Sequence, residues 1–271
     1  CMLFHAEYLV AQNRLNDAEA LLTKLCEARP NRPEGWLSLA ALAERQKKWD
    51  TAAKYIKGAQ EKLGDQVIVR LARAQFFARR DGVKAGPHLR KLGENVGKFS
   101  PEEQLRLSNG LALQAIQIND LATAKQFCEE IAKRDPKNNR IREMLFEVIC
   151  KMGQEGPDTI KTLEQLLNEI EAISGKGPFC LYGHAALLTL QAKGRPENLD
   201  KALECLAQAR QMRPNWAHLP RLAGRIHEIQ GNERQAIEDY LDAIRLGHRD
   251  PVVLQRAESL LRKNHRDIEA N

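Results

Sequence analysis

The chain has 271 residues, 43% of them hydrophobic and 29% charged, with a formal net charge of +6 and a pI near 9.0. This is ample for a continuous core, and no apolar run reaches the roughly 18–20 residues that a membrane-spanning helix needs. Aromatics are few, at 5%, while alanine, leucine and other helix formers dominate, which points to an all-α chain.

In chain order, Leu3 to Gln12 reads as a first helix, and Asn16 or Asp17 is expected to cap a second that runs to about Arg29 and stops at Pro30. Pro33 then sits at a helix start, where its missing N–H costs nothing. Second helices are expected to open on Asp50, Asp120, Asp158, Asn198 and Asn232, whose side-chain oxygens cap a first turn. From Val67 to Arg80 a helix is expected, but Asp81-Gly82 and Gly86-Pro87 break the register of its partner, which should be short or bent. Ser100-Pro101-Glu102-Glu103 combines a capping box with proline at the first helical position, and the helix that follows is extended by about one turn. A long helix spans about Asp158 to Ile173 between glycine-containing loops, and Asp250-Pro251 opens the last helix.

Leu222 to Ile244 organises the whole pattern. Gly224 lies mid-way along one helix, Gly231 and Asn232 turn the chain, and Ala236, Tyr240 and Ala243 line one face of the next. Small residues at these places let two helices approach at the short end of the usual ~8–10 Å separation. Similar sets recur: Trp36, Leu39, Ala40, Ala43, Ala52, Ile56 and Ala59; Ala6, Ala18, Leu22, Leu25 and Pro30, 34 residues earlier; Leu111, Ala112, Ala115, Ala124, Cys128, Ile131 and Pro136; and Ala202, Leu206, Ala209 and Pro214, with Ala236 again 34 residues after Ala202. Ala202 lies 150 residues after Ala52, where four periods take 136, so fourteen residues are inserted in the middle.

This stride resembles the tetratricopeptide repeat, W-x2-L-G-x2-Y, A-x3-F and P over 34 residues. The resemblance implies an all-α fold, an α-solenoid (right-handed superhelix) of about seven helix-turn-helix repeats plus a C-terminal helix. As a single array over residues 1–271, the repeats fall near 1–31, 32–65, 66–99, 100–137, 138–177, 178–214 and 215–249, with the last helix at 250–264. The chain begins within the first repeat's helix, and Arg266 to Ala270 reads as the entry to another second helix, so a fragment of a longer protein is expected. The opening CMLFHAEYLV has no signal-peptide pattern.

Candidate chemistry is thin. The six cysteines stand singly and read as packing residues, as Cys128 at a core position illustrates; unpaired thiols suit a reducing, cytoplasmic location. Gly93 to Ser100 lacks the glycine spacing, the Lys-Ser/Thr pair and the preceding strand of a phosphate-binding loop. His227 and His5 fall at repeat packing positions. No enzyme class, catalytic residue, metal site or cofactor is expected.

In the family the first helices line a concave groove, so the resemblance implies groove positions at Arg79, Arg106, Asn109, Arg140, Glu143, Glu147, His184, His218, Arg221, Arg225, Gln255 and Arg262. His218, Arg221 and Arg225 share one helical face, and arginines there suit a carboxylate or phosphate. Leu3, Glu7, Leu37 and Ala41 stand where chaperone-binding members carry a Lys/Asn carboxylate clamp, so docking of that kind is not expected; apolar Leu37 and Leu71 suggest a hydrophobic early groove for an amphipathic helix. The expected function is a scaffold that binds a partner protein or peptide, with an acidic one suited to the arginines; self-association stays open and no membrane partner is expected. The alternative is a substrate-recognition module of a larger enzyme such as a glycosyltransferase. RNA binding ranks third, because acidic residues are interspersed and aromatics are too sparse for stacking.

Overall fold

The computed structural model describes residues 2–154 and 156–266. Cys1, and nearly all of the helix entry expected at 266–270, lie outside the described residues. Among those described, every regular element is helical. The chain divides into two compact units, Cys1–Pro136 and Lys137–Asn271.

The first unit carries α1 (Met2–Ala11), α2 (Leu15–Ala28), α3 (Pro33–Arg45), α4 (Trp49–Leu63), α5 (Val67–Asp81), α6 (Gly86–Leu92), α7 (Pro101–Gln117) and α8 (Leu121–Arg134). A 3₁₀ turn, Gly82–Ala85, precedes the seven-residue α6, which is the shortened partner that Asp81-Gly82 and Gly86-Pro87 imply. The second unit carries α9 (Asn139–Met152), α10 (Pro157–Ser174), α11 (Pro178–Leu190), α12 (Glu197–Met212), α13 (His218–Ile229), α14 (Glu233–Arg245) and α15 (Pro251–Lys263). The elements make seven helix pairs and a last helix, an α-solenoid pattern of small-residue seams.

Those seams bury the residues that set the stride. Ala52, Ala112, Ala124 and Ala236 are wholly buried, Ala40 nearly so, and Gly224 is buried against α14. A Cβ at Gly224 would lie 2.8 Å from Tyr240 Cδ1 and Cε1, so only glycine lets the ring lie flat on α13. In the first unit Gly110 stands likewise against Leu71, whose Cδ2 would be 2.3 Å from an added Cβ. Cys128 is sealed in the core as a small apolar residue.

Local signals hold unevenly. At Ser100 the capping box is complete, its hydroxyl accepting from Glu103 N–H while the Glu103 carboxylate accepts from Ser100 N–H. Asp120, Asn232 and Asp250 also cap their helices. The caps expected at Asn16 or Asp17, Asp50, Asp158 and Asn198 are not formed: these helices start at Arg14, Lys48, Gly156 and Pro196, so the polar residues fall inside the first turn. Asn198 is instead buried and donates to the Gln191 carbonyl at 3.2 Å.

For Asn16 or Asp17 and for Asp50 the reason for the shift is a shared turn. Asn13, Lys47, Asn119 and Gly231 have φ of 59°, 58°, 60° and 78°, and the next N–H in each case reaches the carbonyl five residues back, as in Arg14 to Leu9 (2.8 Å) and Asn232 to His227 (2.8 Å). This is a left-handed helix end with paired closing hydrogen bonds. It places the cap directly after the left-handed residue, a position that falls on Asp120 and Asn232 but on Arg14 and Lys48 elsewhere.

Candidate functional site

In the first unit the first helices of successive pairs line a series of recesses. One of about 340 Å³ is lined by Leu3, Ala6, Val10, Ala41, Leu42 and Arg45, among others. A second, about 240 Å³, is floored by Leu37, Ala41, Ile68, Leu71 and Ala72 and shares Ala41 with the first. A third, about 460 Å³, shares Ile68 and Arg106 with the second and runs to Asp65, Lys98 and Phe99. Helical stride puts Leu37, Ala41 and Glu44 on one face of α3, opposite Ile68, Leu71, Ala72, Gln75 and Arg79 of α5. The floor is apolar because small and branched aliphatic residues fill those positions. Its rim is charged. Arg79 Nη1 donates to the buried Glu44 carboxylate at 2.7 Å while the rest of Arg79 stays exposed, and exposed Arg106 borders both recesses.

In the second unit polar side chains gather instead. Arg221 of α13 donates from Nη2 to Tyr182 Oη of α11 at 2.5 Å. His218, one turn earlier, has Nε2 3.6 Å from Glu147 Oε1 of α9. Its ring stacks on Trp216 at 5.4 Å and meets His248 of the α14–α15 turn edge-on at 5.7 Å. Lys151 of α9 pairs with Asp250 at 2.7 Å across the same corner. Of the five buried side-chain atoms without a hydrogen-bond partner among the described residues, four belong here: Glu147 Oε1, His218 Nδ1, Arg221 Nε and His248 Nε2. Each such atom costs about 1–3 kcal/mol, so the concentration is a structural statement.

The titration of these groups reflects the same crowding. Burial pulls His218 down to about 4, reinforced by the positive charges of Arg221, Lys151 and Arg213. His248 is also pulled down to about 4, by burial and then by Arg221 and His218, against the opposing pull of Asp250. Burial raises the Glu147 carboxyl, and Arg221 works against that rise. The Cys150 thiol is pushed up to about 12, by burial first and then by Glu147, which makes it a poor nucleophile.

Of the expected groove residues, the structure brings Glu147, His218 and Arg221 together and sets Arg79 and Arg106 on the apolar recess. Asn109 donates to the Leu105 carbonyl of its own helix at 2.9 Å, and Arg262 pairs with Glu258 one turn away at 3.0 Å. Arg140, His184, Arg225 and Gln255 are exposed, and Glu143 is half-buried, its carboxyl raised by burial. Tyr182, Lys151 and His248 escaped the sequence reading. Tyr182 sits beside a helix-contact glycine, and His248 lies beyond a second helix, outside the first-helix positions where groove residues are sought. The packing expected for His5 is not found: it is exposed on α1. His227 does pack inward, with Nδ1 2.6 Å from Asp239 Oδ2. Among the described residues, no group of three or more His, Cys, Asp and Glu side chains could hold a metal ion, and no helix is long and apolar enough to cross a membrane.

Comparison with known proteins agrees with this architecture. Residues 5–66 match the family model described as tetratricopeptide repeat. No curated protein sequence matches the chain. A tetratricopeptide repeat protein from Parabacteroides merdae superposes with a TM-score of 0.61 at 18% identity, covering 96% of this chain and 97% of that one. A structure described as the APC/C hetero-tetramer Cut9-Hcn1 gives a TM-score of 0.50 at 14% identity over 97% of this chain, which spans 49% of that one. This chain thus matches the tetratricopeptide repeat in residues 5–66 and is similar in fold, over nearly its whole length, to a solved tetratricopeptide repeat protein.

Proposed function

We propose that the chain is a binding scaffold that receives a segment of a partner protein along the first helices of its first unit. Arrays of this kind are generally protein-interaction scaffolds, and the observation carrying the reading here is the series of adjoining recesses with an apolar floor and an arginine rim. Four first helices at a spacing of about 9 Å make a trough on the order of 27 Å long. That length takes about eighteen helical residues at ~1.5 Å each, or about eight extended ones at ~3.3 Å. Anchors that fall one per inter-helix recess therefore recur about every sixth residue of a helix or about every third of an extended strand. The occupant is an amphipathic segment with apolar anchors and acidic flanks, the carboxylates facing Arg79 and Arg106.

Selection of random twenty-residue peptides against the full chain tests this. Ala41 is exposed and lies where two recesses meet, so Ala41→Trp blocks the trough without disturbing the core. Selected peptides should carry the stated anchor spacing, lose binding to A41W, and bind about tenfold more weakly to R106E. Peptides that bind A41W as well as the parent chain would remove the trough from consideration.

A further inference from the structure

We propose that the corner built by His218 and Arg221 of α13, His248 of the α14–α15 turn and Glu147 of α9 is a carboxylate site in which His218 takes up a proton as the carboxylate binds. This deepens the partner-binding reading and rests on it for the source of the carboxylate, an acidic side chain or the C-terminus of the partner segment. The unpartnered atoms define the chemistry. Arg221 Nε is a donor, and the two imidazole nitrogens, His218 Nδ1 and His248 Nε2, become donors in the right tautomer or when charged. Three N–H groups without an internal acceptor suit an oxyanion. The fourth atom, Glu147 Oε1, faces His218 Nε2 at 3.6 Å. A charged His218 satisfies both sides at once, donating Nε2–H to Glu147 and Nδ1–H to the ligand.

The surroundings fit a positive site. Lys151 from α9 and Arg213 from the α12–α13 turn add their charges to that of Arg221 at His218, and Tyr182 of α11 accepts from Arg221 while its hydroxyl serves the Glu147 carboxylate. Asp250 is taken up by Lys151. Glu147, held by Tyr182 and the charge of Arg221 but with Oε1 unpartnered, is the acceptor that faces the His218 ring, while Glu143 of the same helix faces Arg213. The polar atoms are sealed, but the side chains that bear them are not: Glu147 retains 18% and His218 32% of its side-chain exposure. Rotation of the partly exposed His218 side chain is the step by which the site opens Nδ1 and Nε to a carboxylate. Without it, His218 stays neutral among cations; with it, the site gains a negative charge and the proton follows.

The histidine ring nitrogens of the full chain, observed by ¹H–¹⁵N NMR at constant ionic strength, test this with formate, which loses its own proton below the range used. The expected result is saturable movement of the His218 and His248 signals, His218 passing to the imidazolium form, with formate affinity rising several-fold as pH falls from 7 to 5. His218→Gln should leave weaker, pH-independent binding, and His5→Gln, an exposed residue of α1, should change nothing. Unchanged helicity by circular dichroism shows that H218Q folds; if it does not, H248Q, expected to bind formate about tenfold more weakly, replaces it. A preference for sulfate over formate assigns a tetrahedral oxyanion and overturns the carboxylate. A response no different from that to chloride means that internal pairing or solvent satisfies these atoms, and it overturns the site while leaving the first-unit trough untouched.

Discussion

Arg70 in the first unit and Arg221 in the second are both guanidinium groups drawn inward between helices, and they are treated in opposite ways. Around Arg70 everything is answered. Nε and Nη2 donate to the two Asp65 oxygens at 2.7 Å, Nη1 donates to the Leu92 and Glu94 carbonyls at 2.7 and 2.6 Å, and the Phe99 ring lies 5.0 Å below the charge. Lys98 adds a second cation on Asp65 at 2.6 Å, and the hydrogen bond from Arg70 leads in holding that carboxyl well below the usual carboxylate range. Arg221 donates to Tyr182, feels the charge of Glu147 and leaves its Nε idle. The saturated arrangement fixes the connector after the short α6. The unsaturated one leaves hydrogen-bonding capacity unused, which is what a site for something external requires.

The largest expected effect breaks the saturated side. Arg70→Met leaves Asp65 without its main partner and two carbonyls unpaired, and should cost about 3–5 kcal/mol, read as a fall in the melting midpoint of the whole chain with first-unit amides losing exchange protection first. A change under about 1 kcal/mol would mean that the clasp around α6 holds nothing. Next in size is Gly224→Ala in the second unit. The added methyl meets the Tyr240 ring at 2.8 Å, a rigid face that cannot fold away, so a loss of about 1–3 kcal/mol in denaturant unfolding is expected. Gly110→Ala in the first unit meets the flexible end of Leu71 and should cost less.

Acid separates the units further. Asp65 is depressed, so its contribution is present above the unfolded carboxylate value near ~3.9 and is lost only as pH falls below that, through its folded value. His218 and His248 titrate at about 4 in the fold and near ~6.5 when unfolded. Between those values the unfolded chain holds more protons, so their effect is loss of stability as pH falls from about 6.5 to 4. Glu143, Glu147 and Asp239, raised first of all by burial, act in the other sense. The histidine part is therefore isolated by comparing the parent chain with the H218Q/H248Q variant: between pH 7 and 4.5 the parent should lose roughly 1–2 kcal/mol more, discounted for partial exposure. Equal losses would show that neither ring is held neutral.

How much of this was legible varies with the kind of signal. The stride of Ala40, Ala52, Ala112, Ala124, Gly224 and Ala236 fixes the fold because close helix contact admits few residue types, so composition and geometry carry the same information. Ser100 to Glu103 was equally plain, since a capping box is local. The site was only half readable. Spacing put His218, Arg221 and Arg225 on one face of α13, yet Arg225 is exposed while its two neighbours are largely covered, because the coverage comes from Tyr182, Trp216 and His248, which lie elsewhere in sequence. The same holds for Arg70, whose partners are five to 24 residues away and mostly backbone carbonyls. No periodicity marks a carbonyl as an acceptor in waiting.

The smallest effect lies in the turns, where the units again differ. Within its helix pairs the second unit places glycine at every positive-φ turn residue, Gly153, Gly194 and Gly231, whereas the first uses Asn13, Lys47, Gly82 and Asn119. Asparagine tolerates the left-handed conformation through local hydrogen bonding, but lysine has no such compensation and meets its own carbonyl there at a cost of about 1 kcal/mol. Lys47 is half of the pair Asn13 and Lys47, one 34-residue period apart, and its turn closes with the same bonds, Lys47 N–H to Glu44 at 2.9 Å and Lys48 N–H to Ala43 at 2.9 Å. Lys47→Asn should therefore stabilise the chain by a few tenths to about 1 kcal/mol, with no change in the slope of denaturant unfolding. Gly231→Ala, its mirror in the second unit, should destabilise by about 1–2 kcal/mol. If K47N proves neutral while G231A costs the full amount, the strain at Lys47 is already relieved by a contact specific to lysine, and the two units close their turns by different physics.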